Sequence, residues 1–384
     1  MALSIFGKGR EAAAPQRKAS AAGRVVALAA MGRAAWGPRD VASLTRAGFT
    51  DNPIGFRSVK LIAEAAAALP LLCQDCERRF EAHPVLSLLR RPNPGQGRAE
   101  LLEALYGQLL LTGDGYLEAV GEGGLPVELH VLRSDRMSVL PDREGWPAGF
   151  EYAVGGRKAR FATEAVCHVR SFHPQDDHHG LSPMQAAAAA VEVHNAASRW
   201  SKALLDNAAR PSGAIVHRPP DGALMTQEQF ERLQAELEAH HQGARNAGRP
   251  MLLEGGLDWK PMGFSPTDME FRDVKAAAAR EIATAYGVPP MLLGIPGDAT
   301  YANYAEAHRA FYRLTVLPLA SRTLARLSEF LAGHAGEEVE IRVDLDGVPA
   351  LAAEREAQWR RVSEAAFLTD AEKRALLGLP PLAG

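Results

Sequence analysis

The sequence predicts an α+β fold in which long helices carry small antiparallel sheets. Helix-start chemistry recurs along the chain: Asn52-Pro53, Ser182-Pro183-Met184-Gln185, Thr226-Gln227-Glu228-Gln229 and Thr369-Asp370-Ala371-Glu372. Each places a capping side chain, a first-turn proline or a reciprocal Gln/Glu ahead of apolar residues at helical spacing. Between Tyr116 and His168 the pattern changes to short, partly alternating segments separated by Gly, Pro and Asp, which reads as strands. From Met269 to Phe330 two long helical runs flank a Gly/Pro/Asp loop, a hairpin with a projecting tip.

Composition bounds the rest. The chain has 384 residues, 47% hydrophobic and 23% charged, with a net charge of -3. This suffices for a sizeable core and more than one domain. It lacks the basic excess of proteins that grip DNA, so any DNA contact should be loose or local. Cys73, Cys76 and Cys167 cannot build a disulfide framework, which favours a reducing compartment. No apolar run reaches the ~20 residues of a membrane span, and no secretory signal is read.

Residues 1–33 are rich in Ala, Gly and Ser, with Lys8, Arg10, Arg17, Lys18, Arg24 and Arg33 against one acid, Glu11. The segment is expected to be a disordered basic arm, with a DNA- or partner-binding tail as the alternative. The helix after Asn52-Pro53 should bury Val59, Ile62, Ala63 and Ala66 and end before Pro70. Arg91-Pro92-Asn93-Pro94 should turn into a helix burying Leu101, Leu102, Leu105 and Leu109. Gly113-Asp114-Gly115 should turn into a strand.

Strands are expected at Tyr116–Val120, Val127–Leu132, Met137–Leu140, Gly149–Val154 and Ala165–Arg170, forming one small antiparallel sheet. From Ser182 an unbroken helix should run to about Asn207, roughly 37 Å. Residues 214–266 read as an inserted module: a strand near Gly213–Val216, a helix with Phe230, Leu233 and Leu237 on one face, and strands at Met251–Leu253 and Leu257–Trp259. In the hairpin, Pro318 should kink the second helix. A strand within residues 337–346, a helix over Pro349–Ala366 and a short helix closed by Gly378 complete the chain.

Candidates for chemistry are few. Cys73-Gln74-Asp75-Cys76 is a lone CxxC without the second pair of a zinc ribbon. The cluster His173-Pro174-Gln175-Asp176-Asp177-His178-His179 has metal-ligand residue types but not the one-turn spacing of a helical zinc motif. A solvated loop is the expectation; a metal-dependent hydrolase using His173–His179 is the alternative. Cys167 and His168, adjacent on a strand, must face opposite sides. No nucleophile–base pair, phosphate-cradling GxxxxGK[ST] or cofactor motif is found, so neither catalysis nor a cofactor or metal is expected. On the first hairpin helix, Arg272, Lys275 and Arg280 are either a solvated basic face or, if the helix lines a channel, phosphate-facing residues.

Several of these stretches resemble the portal proteins of long-tailed double-stranded DNA phages, including those of prophages and gene transfer agents. They are REIATAYGVPPMLLG with TYANYAEA (Arg280 onward), NPIGFRSVKLIAEAAAALPLL, HPVLSLLRRPNPGQGRAELLEALYGQLLLTGDGYLEAV, GLSPMQAAAAAVEVHNAASRWSKALLDNAARPSGAI, GARNAGRPMLLEGG and the ending FLTDAEKRALLGLPPLAG. They lie collinearly from Asn52 to the C-terminus. The one departure noted is Asp114, where the family's usual residue is Asn.

The resemblance implies a portal fold and a self-assembled ring, usually of twelve subunits, at the capsid vertex of a virion. That ring would assemble in the host cytoplasm and act as the channel for DNA packaging and ejection. It implies residues 34–181 and 304–348 as the wing, 182–212 and 267–288 as stem helices, 213–266 as the clip, 289–303 as the tunnel loop and 349–384 as a short crown. It makes Gly294, Ile295, Pro296, Gly297, Asp298, Ala299 and Thr300 the loop that touches DNA, and Arg272, Lys275 and Arg280 channel-lining candidates. Glu228, Glu231, Arg232, Glu236 and Arg245 become candidates for docking the large terminase and then the head–tail adaptor. The major capsid protein and non-specific double-stranded DNA are the other implied partners; no membrane is.

Overall fold

The structure, a computed structural model, describes residues 41–379 apart from 76–77, 122, 207–212, 262–270, 297–300 and most of 218–256. The expected arm at 1–33 and the strand at Met251–Leu253 lie outside the described residues.

Two helices packed together form the centre of the main core. Helix α1 (Val41–Thr45) runs into a π turn (Arg46–Thr50), and α2 (Pro53–Ala67) follows. Asn52 caps α2 as expected: its side-chain oxygen accepts from the Ile54 and Gly55 backbone N–H groups, both at 3.0 Å. Val59, Ile62, Ala63 and Ala66 are buried, and they pack against α4 (Arg98–Thr112), whose Leu101, Leu102, Leu105 and Leu109 are also buried. The short α3 (Pro84–Arg90) lies between them in sequence. The π turn crosses α2 backbone on backbone: a Cβ on Gly55 would sit 2.0 Å from the Gly48 carbonyl oxygen, and one on Gly48 would sit 1.9 Å from the Met184 sulfur. Only glycine permits that approach.

The strands divide differently from the expectation of one sheet. Strands β3 (Asp114–Val120), β4 (Glu128–Leu132) and β8 (Val166–Arg170) form one sheet in the order β4-β3-β8. Strands β5 (Met137–Pro141), β6 (Pro147–Val154) and β7 (Arg157–Phe161) form a second, β5-β6-β7. Strand β7 was not expected, because RKARF is nearly all exposed and charged and carries no alternation. It is held by cross-strand pairing instead: Lys158 and Arg160 both reach Glu151 on β6, at 2.7 and 3.3 Å.

A third sheet, β11-β1-β2, joins β1 (Leu71–Gln74) and β2 (Arg79–Phe80) to β11 (Glu340–Val343), with Leu71 opposite Val343. Cys73 therefore sits on a strand, buried, its thiol pushed up to about 11 by burial. That environment suits packing rather than redox chemistry. Cys76 lies outside the described residues.

The helix expected to run unbroken from Ser182 is interrupted. The capping box forms, with Gln185 N–H donating to Ser182 Oγ at 3.0 Å and Ser182 N–H to Gln185 Oε1 at 3.3 Å. Helix α5 then covers only Pro183–Ala186, Ala187 sits at φ -84 and ψ 0, and α6 runs from Ala188 to Asp206. Two separate anchors hold the pieces. Met184 is fully buried beneath the Gly48–Gly55 crossing. On α6, His194 and Asn195 enter a buried polar cluster: Asn52 Nδ2 donates to Asn195 Oδ1 at 2.9 Å and lies 3.2 Å from His194 Nδ1, while Asn195 Nδ2 donates to the Ala47 carbonyl at 2.7 Å. Ala187, between the two anchors, is where the helix is interrupted.

Strands β9 (Gly213–His217) and β10 (Leu257–Pro261) pair antiparallel and bracket the inserted module. Helix α7 (Phe271–Ala285) packs along α6. After the loop, α8 (Tyr301–Phe311), a π turn (Tyr312–Val316) and α9 (Leu317–Ala335) form one long run. Pro318 thus acts where expected but as a π turn in the preceding residues: it has no N–H to offer Leu314, and the ladder widens there. Helices α10 (Ala352–Glu364) and α11 (Asp370–Leu377) close the chain, the latter with the expected Thr369–Glu372 box.

Asn52 both caps α2 and satisfies Asn195. Asn52→Ala should therefore cost about 2–4 kcal/mol, the loss of a cap plus an orphaned buried amide. Urea unfolding measures it; a loss below roughly 1 kcal/mol, the size of a lone cap, would remove the cluster's structural role.

Candidate functional site

The hairpin from α7 to α8 is fixed at its base by backbone chemistry. Helix α7 ends where AYGV meets the Pro289-Pro290 pair. Gly287 takes φ 65, its N–H donates to the Thr284 carbonyl, and the Val288 N–H reaches back to Ala283, both at 2.9 Å. This is the left-handed glycine closure of a helix, with Val288 buried against the core. A single 3-10 turn, Pro290–Leu293, follows and is closed by Gly294 at φ 72.

Three contacts lock this base. Thr315, in the π turn, donates to the Gly287 carbonyl at 2.6 Å. A Cβ on Gly287 would meet that same hydroxyl at 2.8 Å. Arg280 of α7 donates to the Pro296 carbonyl, so the chain folds back along its own helix. The buried Tyr286 hydroxyl reaches the Leu110 carbonyl at 3.4 Å, tying α7 to α4.

The candidate channel residues differ in their surroundings. Arg272 is exposed. Lys275 is half-buried and near enough to His194 to help burial push that imidazole's pKa down. Arg280 is exposed and already engaged with the loop base. Gly294 and Pro296 are exposed and Ile295 is half-buried. Gly297, Asp298, Ala299 and Thr300 lie outside the described residues. In the inserted module, the Thr226–Gln229 box forms, with bonds of 2.9 and 3.3 Å, and Glu228, Glu231 and Arg232 are exposed on the helix it starts. Glu236 and Arg245 lie outside the described residues.

The His173–His179 cluster is organised around a residue the sequence reading placed only in a turn. Asp114, at the start of β3, is buried. It accepts from His168 Nε2 at 2.8 Å and from the Gly180 N–H at 3.0 Å, and lies 3.5 Å from His179 Nδ1. His168 and Cys167 do face opposite sides: His168 stacks on Tyr116 at 4.3 Å, while the Cys167 thiol points to the Arg326 carbonyl. Asp176 caps its own turn through the His178 and His179 N–H groups, at 2.8 and 3.0 Å. The expected solvated loop is thus pinned to the sheet by one carboxylate. Among the described residues no group of three or more His, Cys, Asp or Glu could hold a metal ion, and no helix is long and apolar enough to cross a membrane.

A sequence profile described as Phage portal protein matches residues 53–378. The chain belongs to the phage portal protein family. Solved structures carry the likeness through the fold. A chain from the neck of an empty gene transfer agent particle, solved with C6 symmetry, is 69% identical, with a TM-score of 0.73 over 91% of this chain and 96% of that one. A chain from the neck of the native particle, solved with C12 symmetry, is 67% identical, with a TM-score of 0.71 over 92% and 97%. The probable portal protein of Streptomyces phage phiC31 is 26% identical over 85% of this chain and 74% of its own. The fold is a portal fold.

Asp114 gives the family fold a pH signature. Burial would raise its pKa, but the hydrogen bonds from His168 and His179 outweigh it and hold the carboxyl low. The Asp114 bond raises His179, whereas burial lowers His168. The depressed Asp114 stabilises above its unfolded value near 3.9 and loses this as pH falls. The raised His179 stabilises below its unfolded value near 6.5 and loses this as pH rises through the folded value. His168 runs against His179, since its lowered pKa favours the folded state as pH rises. The stability gap between wild type and Asp114→Asn should therefore be wider at about pH 5.5 than at about pH 8. Urea unfolding at both values checks this; equal gaps would leave His179 without a charged partner.

Proposed function

We propose that this chain is the repeating subunit of a portal ring in a gene transfer agent-type particle, at the capsid vertex through which double-stranded DNA passes. The observation that carries the reading is the 67–69% identity to chains of such a particle's neck over nine-tenths of the sequence. Charge supports it: a net charge of -3 suits a channel that must let DNA slide, because strong phosphate binding would stall it. The role is structural, and no step of chemistry is assigned to the chain.

In this reading α6 and α7 are stem helices, the β9–β10 module is the clip, the sheets with α2, α4 and α9 make the wing, and α10 and α11 make a short crown. Residues 289–303 are the tunnel loop. Its base is tied down by Thr315 on the Gly287 carbonyl and Arg280 on the Pro296 carbonyl, which supports a loop rooted at a fixed position. Arg272 is the better phosphate-facing candidate, since Arg280 already holds the loop. The clip presents Glu228, Glu231 and Arg232 to the large terminase during packaging and to the head–tail adaptor afterwards. The wing meets the major capsid protein.

Native mass spectrometry with negative-stain imaging tests the core of the proposal: a closed ring near twelve subunits with a central hole is expected, and a stable monomer would overturn it. Deleting Gly297–Ala299 should leave ring yield unchanged and reduce DNA packaged or retained; loss of rings would sink the separation of roles. Glu228→Lys with Glu231→Lys should weaken terminase or adaptor capture roughly tenfold, the scale of one or two interface charges. Unchanged capture would remove these residues from the docking face.

A further inference from the structure

A cleft of about 860 Å³ opens between strands β1 and β2 of the third sheet, α3 and the first turn of α4. Its floor is apolar: Leu89 is buried, and Leu71, Phe80 and Leu86 are half-buried against the main core. Its charge is one-sided. Among the described residues that line it, Arg79, Arg90 and Arg98 stand against a single acid, Glu81. In a chain with a net charge of -3, this is a local reversal of sign.

The three arginines are not held alike. Arg79 is committed, since its guanidinium donates to Asp344 just after β11 at 2.9 Å. Arg90 and Arg98 have no hydrogen bond or ion pair among the described residues. Arg90 is exposed in the last turn of α3, where a cation complements the carbonyl end of the helix. Its position thus has a structural reason. Arg98 has none. It is the first residue of α4, at the positive end of the helix dipole, and it is half-buried. The cap before it is Gly97, which brings no side chain. The acid of that turn, Glu100, is spent on the Gly97 N–H at 2.8 Å. A partly desolvated cation at the positive end of a helix, with no counter-charge of its own, works against folding. Such a locally unfavourable choice marks a place kept for another purpose.

Guanidinium groups beside an apolar floor suit a peptide that brings both carboxylates and apolar side chains. Duplex DNA offers phosphates for the arginines but nothing apolar for the floor. Residues 1–33 of this chain, with Glu11 as their one acid, carry the wrong sign. We propose that the cleft is a docking groove for an acidic segment of a partner protein. Apolar side chains of that segment seat on Leu71, Phe80, Leu86 and Leu89, and its carboxylates meet Arg90 and Arg98. The groove shares no residue with α6, α7 or the loop between α7 and α8, so the inference goes beyond the portal-ring reading and does not depend on ring formation.

The test uses the full chain and a labelled probe peptide in which Leu and Glu each recur at three- and four-residue spacing, with one benzophenone side chain. Fluorescence anisotropy should show saturable binding, and photo-cross-links should fall among residues 71–99. Arg90→Gln/Arg98→Glu should weaken binding roughly tenfold or more, the scale of two charge-assisted contacts. Arg98→Glu alone should raise the urea midpoint, because it places an acid at the positive end of α4, which separates lost binding from a damaged fold. Undiminished binding to the double variant, equal binding of a probe with Lys in place of Glu, or cross-links elsewhere would overturn the groove. So would a short DNA duplex that displaces the peptide and loses its own affinity in the double variant, since the cleft would then be a phosphate site. A lowered midpoint for Arg98→Glu would show that the fold itself needs this arginine and would remove the reason to assign it a partner.

Discussion

The buried cluster of Asn52, His194 and Asn195 is the joint on which the architecture turns. One asparagine side chain starts α2 with its oxygen and holds α6 with its nitrogen. Asn195 passes the connection on to the Ala47 carbonyl in the π turn. Because these groups are buried, their directional bonds set a rotation and a height for α6 that apolar packing alone would leave loose. Helix α7 inherits that setting through its contact with α6, and the loop base inherits it from α7.

Local capping chemistry was legible in the sequence wherever a side chain bonds its own backbone. Asn52, Ser182, Thr226 and Thr369 all do what their spacing predicts. The buried faces of α2 and α4 were legible for the same reason: periodicity is a local property. What could not be read joins distant residues. Asn52 meets Asn195 across 143 positions, and β1 pairs with β11 across most of the chain. Nothing in their neighbourhoods marks those partners. Strand β7 was missed because its pairing depends on Glu151 rather than on an apolar face.

The site was legible as a place and less so as a set of roles. Gly287, the Pro289-Pro290 pair and the following loop were visible as the break between two helices. That Arg280 is spent on the Pro296 carbonyl was not, because a basic residue on an exposed helix face offers no sign of what it bonds. Asp114 is the reverse case. It read as turn chemistry, and the fold makes it the anchor of two histidines and the Gly180 N–H. Its histidine partners lie 54 and 65 positions away on β8 and the loop after it, so only the sheet register brings them together.

The Gly48–Gly55 crossing has a mechanical consequence. Most contacts between elements are cushioned by side chains that can change rotamer under load. Here two backbones touch with no side chain between them, and the Met184 sulfur closes the third side. A force carried by the π turn thus reaches α2 through a nearly incompressible bearing, whereas α5 meets the crossing through the Met184 side chain. Compliance lies elsewhere: at Ala187, where the helix is interrupted, and at the π turn of residues 312–316, where the hydrogen-bond ladder is already widened.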